Sequence, residues 1–174
     1  KEADWHLNMV ENLITVTRIS EGRASVNKSL EPVEEVMSEA VFRLKKRIPD
    51  ANIRVLLPEE FIMIPMDAML IEQVLINLME NAVFHAGSSE PVECSVQIEK
   101  RDVTFLVTDQ GVGIPEDKLT AIFDGNGQTE NSVAAGHQRM GIGRSPCKPS
   151  ITAHRGTIGA SNPGYRMPQY DTLP

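Results

Sequence analysis

DAMLIEQVLINLMENAVFHAG, residues 67–87, is the longest stretch of the chain with a clear helical period. Asp67 is suited to cap its start and Gly87 to end it. At roughly 100° per residue, Leu70, Ile71, Val74, Leu75, Leu78 and Ala82 share one face. Asn81 falls almost in line with Val74, and Asn77 lies just beside the stripe. An amide turned toward an apolar face must find partners or lose about 1–3 kcal/mol to desolvation. Two such amides one turn apart predict a polar site sunk into a core edge; the plainer alternative is a structural Asn pair.

Downstream, VECSVQIEK and DVTFLVTD predict a hairpin. Val92, Cys94, Val96 and Ile98 alternate with polar residues, Lys100, Arg101 and Asp102 turn, and Val103, Phe105 and Val107 alternate again. One face is apolar, so helices must cover it, which predicts a mixed sheet with three helices on one side. DQGVGIP, residues 109–115, follows directly and contains D-x-G-x-G at Asp109, Gly111 and Gly113. Alternate glycines let a backbone turn sharply and approach a ligand, and an ionised Asp past a strand end accepts hydrogen bonds from an amine. Taken alone, that motif matches many ordinary turns.

Upstream, residues 32–47 predict a helix with Pro32 in its first turn and Val33, Val36, Met37, Ala40, Val41 and Leu44 on one face. Lys45, Lys46 and Arg47 read as its solvated C-terminus. IRVLLP (53–58) and FIMIP (61–65) predict two short strands around a turn at Pro58, Glu59 and Glu60. Residues 4–26 are helical by period, with a stripe of Trp5, Met9, Leu13, Val16 and Ile19 that needs a partner helix. Pro115 opens a short helix through Ile122, and residues 125–140 have no period and the composition of a loop.

Seventeen basic against 24 acidic residues give a net charge of −7, which argues against a general nucleic-acid binder. No run approaches the roughly 20 apolar residues needed to cross a bilayer, so no direct membrane contact is expected. Cys94 and Cys147 lack metal-ligand spacing and make no disulfide framework, which points to a reducing compartment. The opening KEADW, without Met, reads as a piece of a longer protein.

A helix bearing N-x-x-x-N, a hairpin, D-x-G-x-G, a short helix, a loose polar stretch and a second G-x-G at Gly141 and Gly143 follow in order. Together they resemble the ATP-binding domain of sensor histidine kinases, within the GHKL superfamily shared with DNA gyrase, Hsp90 and MutL. The likeness is close from Glu31 to Asp124, where IFD (122–124) resembles the F-box segment. IEQVLINLMENAV and the helix at 9–19 are nearest in wording to potassium-sensing KdpD-type kinases.

The resemblance implies an α/β two-layer sandwich of the Bergerat type: a mixed sheet covered on one face by helices and preceded by one long dimerisation-type helix. Residues 1–27 would be the second helix of the dimerisation region, and 28–174 the catalytic domain with its lid at 125–140. ATP and Mg²⁺ would be bound by Asn77, Asn81, His85, Asp109, Gly111, Gly113, Gly141 and Gly143. Asn81 would hold the Mg²⁺, a neutral oxygen donor for a hard cation. His85 would touch phosphate, Asp109 would accept from the adenine amine, and Gly111 and Gly113 would let the backbone close on the base. Gly141 and Gly143 would offer N–H groups to the phosphates.

Asn77 stands where gyrase-type and Hsp90-type relatives carry the Glu that activates water, which implies slow hydrolysis and a γ-phosphate kept for transfer to histidine. The accepting His is expected on a bundle helix outside this chain, since His6, His85, His137 and His154 are not in H-E-x-x-[ST]-P settings. A response regulator, a homodimer through the N-terminal helix and a cytoplasmic location below an inner-membrane sensor are further implications. Phe84 departs from the Lys or Arg usual there, removing a charge-assisted phosphate contact. The segment after Asp124 lacks the second Phe of the F box. Arg144 replaces a leucine, and Pro146 and Pro149 fall within the expected helix, where Pro149 costs about 3 kcal/mol or more if the helix runs through it. Gly156, Thr157 and Ile158 look like a strand start, and Pro168 confines the tail GYRMPQYDTLP to a sheet edge. These departures leave a catalytically degraded pseudokinase serving as a dimerising signalling module, or an anti-sigma-type serine kinase of the same fold, as alternatives.

Overall fold

The computed structural model describes residues 26–85, 89–100, 102–119, 123, 147–162, 164–166 and 170–171. The expected helix at 4–26, the loop at 125–140, Gly87, Gly141 and Gly143 lie outside the described residues.

The central helix, α2, spans Ala68–His85. Asp67 caps it as its sequence predicts: Leu70 N–H donates to Asp67 Oδ1 at 3.3 Å, and Ile71 N–H to Asp67 O at 3.1 Å. Ile71, Val74, Leu75, Leu78 and Ala82 are buried, while Leu70 is half-buried. Ile76, Met79 and even Glu72 are buried as well, so the inward arc is wider than the stripe read from the sequence. The width has a cause: α2 packs on the sheet while helices α1 (Val33–Arg47) and α4 (Cys147–Ala153) also lie against it.

Helix α1 follows strand β1 (Ser29–Pro32), which pairs antiparallel with β3 (Met63–Met66). Pro32 is therefore the last extended residue, φ −66° and ψ 124°, rather than part of the first helical turn. Val33 N–H donates to Ile62 O at 3.0 Å, which fixes where the helix starts. The expected face of Val33, Val36, Met37, Ala40, Val41 and Leu44 is the buried one. Its basic end, Lys45, Lys46 and Arg47, is exposed as expected and also makes side-chain contacts. Arg47 Nη1 pairs with Glu80 on α2 at 3.0 Å, and Lys46 lies 4.2 Å from the centre of the Phe42 ring.

The strands at β2 (Ile53–Leu56) and β3 exist as expected but belong to different sheets. Strand β2 runs parallel to β4 (Val92–Glu99), which pairs antiparallel with β5 (Asp102–Thr108) in the expected hairpin. Glu99 pairs with Asp102, so Asp102 is the first strand residue rather than part of the turn, and Lys100 takes a left-handed φ of 59°. Two short strands, β6 (Gly159–Ser161) and β7 (Gly164–Arg166), extend the sheet to the order β2-β4-β5-β7-β6, and β8 (Tyr170–Asp171) also pairs with β5. The tail is thus not an edge strand at β7, which sits between β5 and β6. Gly156, Thr157 and Ile158 precede the strand they were expected to start.

Val92, Cys94, Val96, Val103, Phe105 and Val107 point into one core with α1, α2 and α4, giving the mixed sheet and helical layer of the GHKL ATPase fold. Ile98 is exposed, because the hairpin tip outruns the helices. Burial, with Glu93 adjacent, pushes the Cys94 thiol up to about 12, so it behaves as a core side chain. No helix of the described residues is long and apolar enough to cross a membrane.

Candidate nucleotide site

The two amides of α2 are half-buried and solve their desolvation problem locally. Asn81 Nδ2 donates to Asn77 O one turn back, at 2.8 Å. Its amide nitrogen is thus engaged by the helix's own backbone. Asn77 Oδ1 accepts from Gln73 Nε2 at 3.0 Å, and its Nδ2 reaches toward Cys147 Sγ at 4.0 Å. Asn77 is thereby built into the seam between α2 and α4. Helix α2 carries Asn77 and Asn81 one turn apart, and His85 belongs to the same helix.

Among the described residues helix α4 runs Cys147–Ala153 and contains Pro149. The far end is closed by two reverse bonds, Arg155 N–H to Thr152 O at 2.9 Å and Gly156 N–H to Ile151 O at 3.0 Å. Arg155 takes the left-handed residue of this cap, φ 63°, where glycine is the usual choice.

His154 ties that end to the start of α2, a role its sequence setting did not reveal. Its Nδ1 donates to Ser150 O at 2.7 Å, which leaves Nε2 to accept the Asp67 N–H at 2.9 Å. Burial holds its pKa below the ordinary histidine value, against the opposing pull of the Ser150 carbonyl. Lys28 Nζ donates to His154 O at 3.0 Å, and burial, with Arg155 nearby, lowers the pKa of its ammonium.

The second cluster follows β5. Asp109 Oδ1 accepts the Gly111 N–H at 2.8 Å, an Asx turn that leaves the other carboxylate oxygen as an acceptor in a fixed direction. Gly113 adopts φ 75°, as a glycine at a sharp turn allows. Next to it, Ile114 N–H donates to Asn162 Oδ1 at 2.9 Å while Asn162 Nδ2 donates to Ile114 O at 2.8 Å. Sequence reading missed Asn162, since its partner lies 48 positions away. Helix α3 (Glu116–Leu119) follows, residues 120–122 of the expected helix lie outside the described residues, and Phe123 is buried in the core. Since α2 and β5 pack into a single core, the amide flank and the Asp109 loop are carried by one rigid unit. The described residues include no group of three or more His, Cys, Asp and Glu able to hold a metal.

Residues 66–168 match the family of histidine kinase-, DNA gyrase B-, and HSP90-like ATPases, and the chain belongs to that family. Within it, the chain is 39% identical over 164 residues to the sensor protein KdpD of Clostridium acetobutylicum, covering 94% of this chain and 18% of that protein's length. In fold it is similar to full-length ShkA in complex with AMPPNP, with a TM-score of 0.74 and 22% identity over 99% of this chain and 37% of that one. Histidine kinase ThkA in complex with the response regulator TrrA is also similar, with a TM-score of 0.68 and 22% identity over 96% of this chain and 49% of that one.

Proposed function

We propose that this chain is the ATP-binding catalytic part of a sensor histidine kinase of the KdpD type. In this reading residues 28–174 form the catalytic domain, with a lid at 125–140, and residues 1–27 belong to a dimerisation region. ATP binds between the flank of α2, the loop after β5 and the lid. Asp109 accepts from the adenine amine, and Gly111 and Gly113 shape the loop around the base. Asn77, Asn81 and His85 serve the phosphate end, together with the backbone N–H groups of Gly141 and Gly143. Asn81 contributes its oxygen to Mg²⁺, which would neutralise charge on the phosphates. The γ-phosphate passes to a histidine on a dimerisation helix outside this chain, and from there to a response regulator.

The observation that carries this reading is the division of labour at Asp109. One oxygen is spent on Gly111 N–H, and the other carboxylate oxygen is left as an acceptor at the end of a buried strand, suited to an exocyclic amine. Asn77 supports transfer over hydrolysis: an amide cannot serve as general base, and its oxygen is already engaged by Gln73. The intact protein is read as a homodimer below an inner-membrane sensor, with this part in the cytoplasm. Incubation with γ-labelled ATP and a separately supplied dimerisation-helix pair of a KdpD-type kinase tests the transfer. Acid-labile label on the helix histidine and none on this chain is the expected result; histidine-bound label on this chain alone contradicts it.

Phe84 favours a second reading. It is 44% exposed near the end of α2, where a cationic side chain would strengthen phosphate binding. A nucleotide-free signalling domain would tolerate it. Phe84→Lys should tighten ATP binding several-fold if the site is used and leave a non-binding domain unchanged.

A further inference from the structure

We propose that Asn162 is a positioning residue for the D-x-G-x-G loop, and that the Asn162 side chain rather than a ligand takes the flank of Gly113 from which a side chain would project. The inference rests on the nucleotide reading above and extends it to a residue outside the motif. The loop from Asp109 to Pro115 leaves the sheet and has no strand neighbour to satisfy its backbone. Asp109 pins its first half through Gly111 N–H. Asn162 pins its second half by meeting both polar groups of Ile114, at 2.9 and 2.8 Å. One planar amide facing one peptide unit in this way fixes orientation as well as distance, much as a paired strand would.

Gly113 shows how close that approach is. A Cβ there would lie 2.8 Å from Asn162 Oδ1 and 3.2 Å from Asn162 Cγ, nearer than side-chain carbons pack. The flank of Gly113 on which a side chain would project is therefore filled by protein. A base held by Asp109 must meet the loop from another side. Asn162 occupies the turn between β6 and β7, and α3, which follows the loop, packs beside β6. The clamp thus hangs the second half of the loop on the β6–β7 hairpin, while Asp109 hangs the first half on β5.

The test uses the whole chain, its Asn162→Ala and Gly113→Ala variants and the double variant. Amide hydrogen exchange at Ile114 reports the clamp without nucleotide. Calorimetry with ATP, ADP and adenosine reports the site. Asn162→Ala should remove Ile114 protection and weaken all three ligands by the same factor, about tenfold for two hydrogen bonds, with the melting temperature nearly unchanged. Gly113→Ala should also remove Ile114 protection, and because φ 75° strains any side chain at that position it should weaken the ligands further even beside Asn162→Ala. Asn162→Asp, which keeps the acceptor for Ile114 N–H and loses the donor, should fall between the parent chain and Asn162→Ala. Unchanged ligand affinity in a folded Asn162→Ala variant overturns the proposal. If the parent chain binds none of the three ligands, the nucleotide reading fails. Loss of Ile114 protection in Asn162→Ala would then leave a structural clamp, and the positioning role would be overturned with it.

Discussion

The helix pair α1 and α2 with the β4–β5 hairpin, and the segment from α4 through β7, are held by different physics. In the first region Val36, Met37, Leu44, Leu75, Leu78, Phe105 and Val107 are all buried, and dispersed apolar contacts do most of the work. Among the described residues, buried apolar side chains are fewer in the second, where Cys147 and Ile151 face the core. Its shape depends on individual hydrogen bonds: His154 on Asp67, the Arg155 and Gly156 cap, and Asn162 on Ile114. Non-directional burial tolerates many sequences, whereas a geometric bond fails when one atom is lost. A region can therefore depart from the usual pattern of its family, as prolines 146 and 149 do, provided a few such bonds are kept.

That contrast breaks first in the core. Leu75→Ala should cost about 2–5 kcal/mol in chemical denaturation, since the residue is fully buried and the cavity cannot collapse against both α1 and the sheet. A cost below 1 kcal/mol would mean the helix layer is looser than its burial indicates.

His154→Leu should cost less, about 1–3 kcal/mol, by stripping the Asp67 N–H and the Ser150 carbonyl of their partner. The loss should depend on pH. Because the folded state disfavours the charged ring, the unfolded chain binds more protons. The stabilising contribution of His154 is complete above the ordinary value of 6.5 and is lost as pH falls below it. Glu72 and Glu80, both raised by burial, act in the opposite sense as pH falls toward 4.5. The difference between parent and variant melting curves isolates the histidine; a difference that grows on acidification contradicts the assignment.

Arg155→Gly should stabilise by about 1 kcal/mol, since the left-handed cap position disfavours a side chain. Differential scanning calorimetry would show a small rise in melting temperature, and a fall would mean the arginine is doing something its cap geometry does not show. Smallest of all, Glu39→Ala should stay within about 0.5 kcal/mol, because the Glu39–Arg43 pair is largely exposed.

The same division governs what the sequence made legible. Asp67 as a cap, the α1 face and the β4–β5 alternation were readable because period and capping are local signals that burial then enforces. Strand β1 was not, since SLEP carries no alternation and becomes extended only by pairing with β3. Placing β2 and β3 in different sheets also depended on partners distant in sequence. Of the candidate site, the amide pair and the Asp109 turn stood out through residue type and spacing. Asn162 and His154 stayed hidden because each acts on a backbone group far along the chain.

Titration calorimetry of the chain with ATP, with and without Mg²⁺ and repeated on Asp109→Asn, tests the central claim most directly. The expected result is Mg²⁺-dependent binding in the parent chain that disappears in the variant, whose amide can no longer offer a carboxylate oxygen to the adenine amine while Oδ1 holds Gly111. Absence of binding in a folded parent chain, or equal binding by parent and variant, would contradict the account.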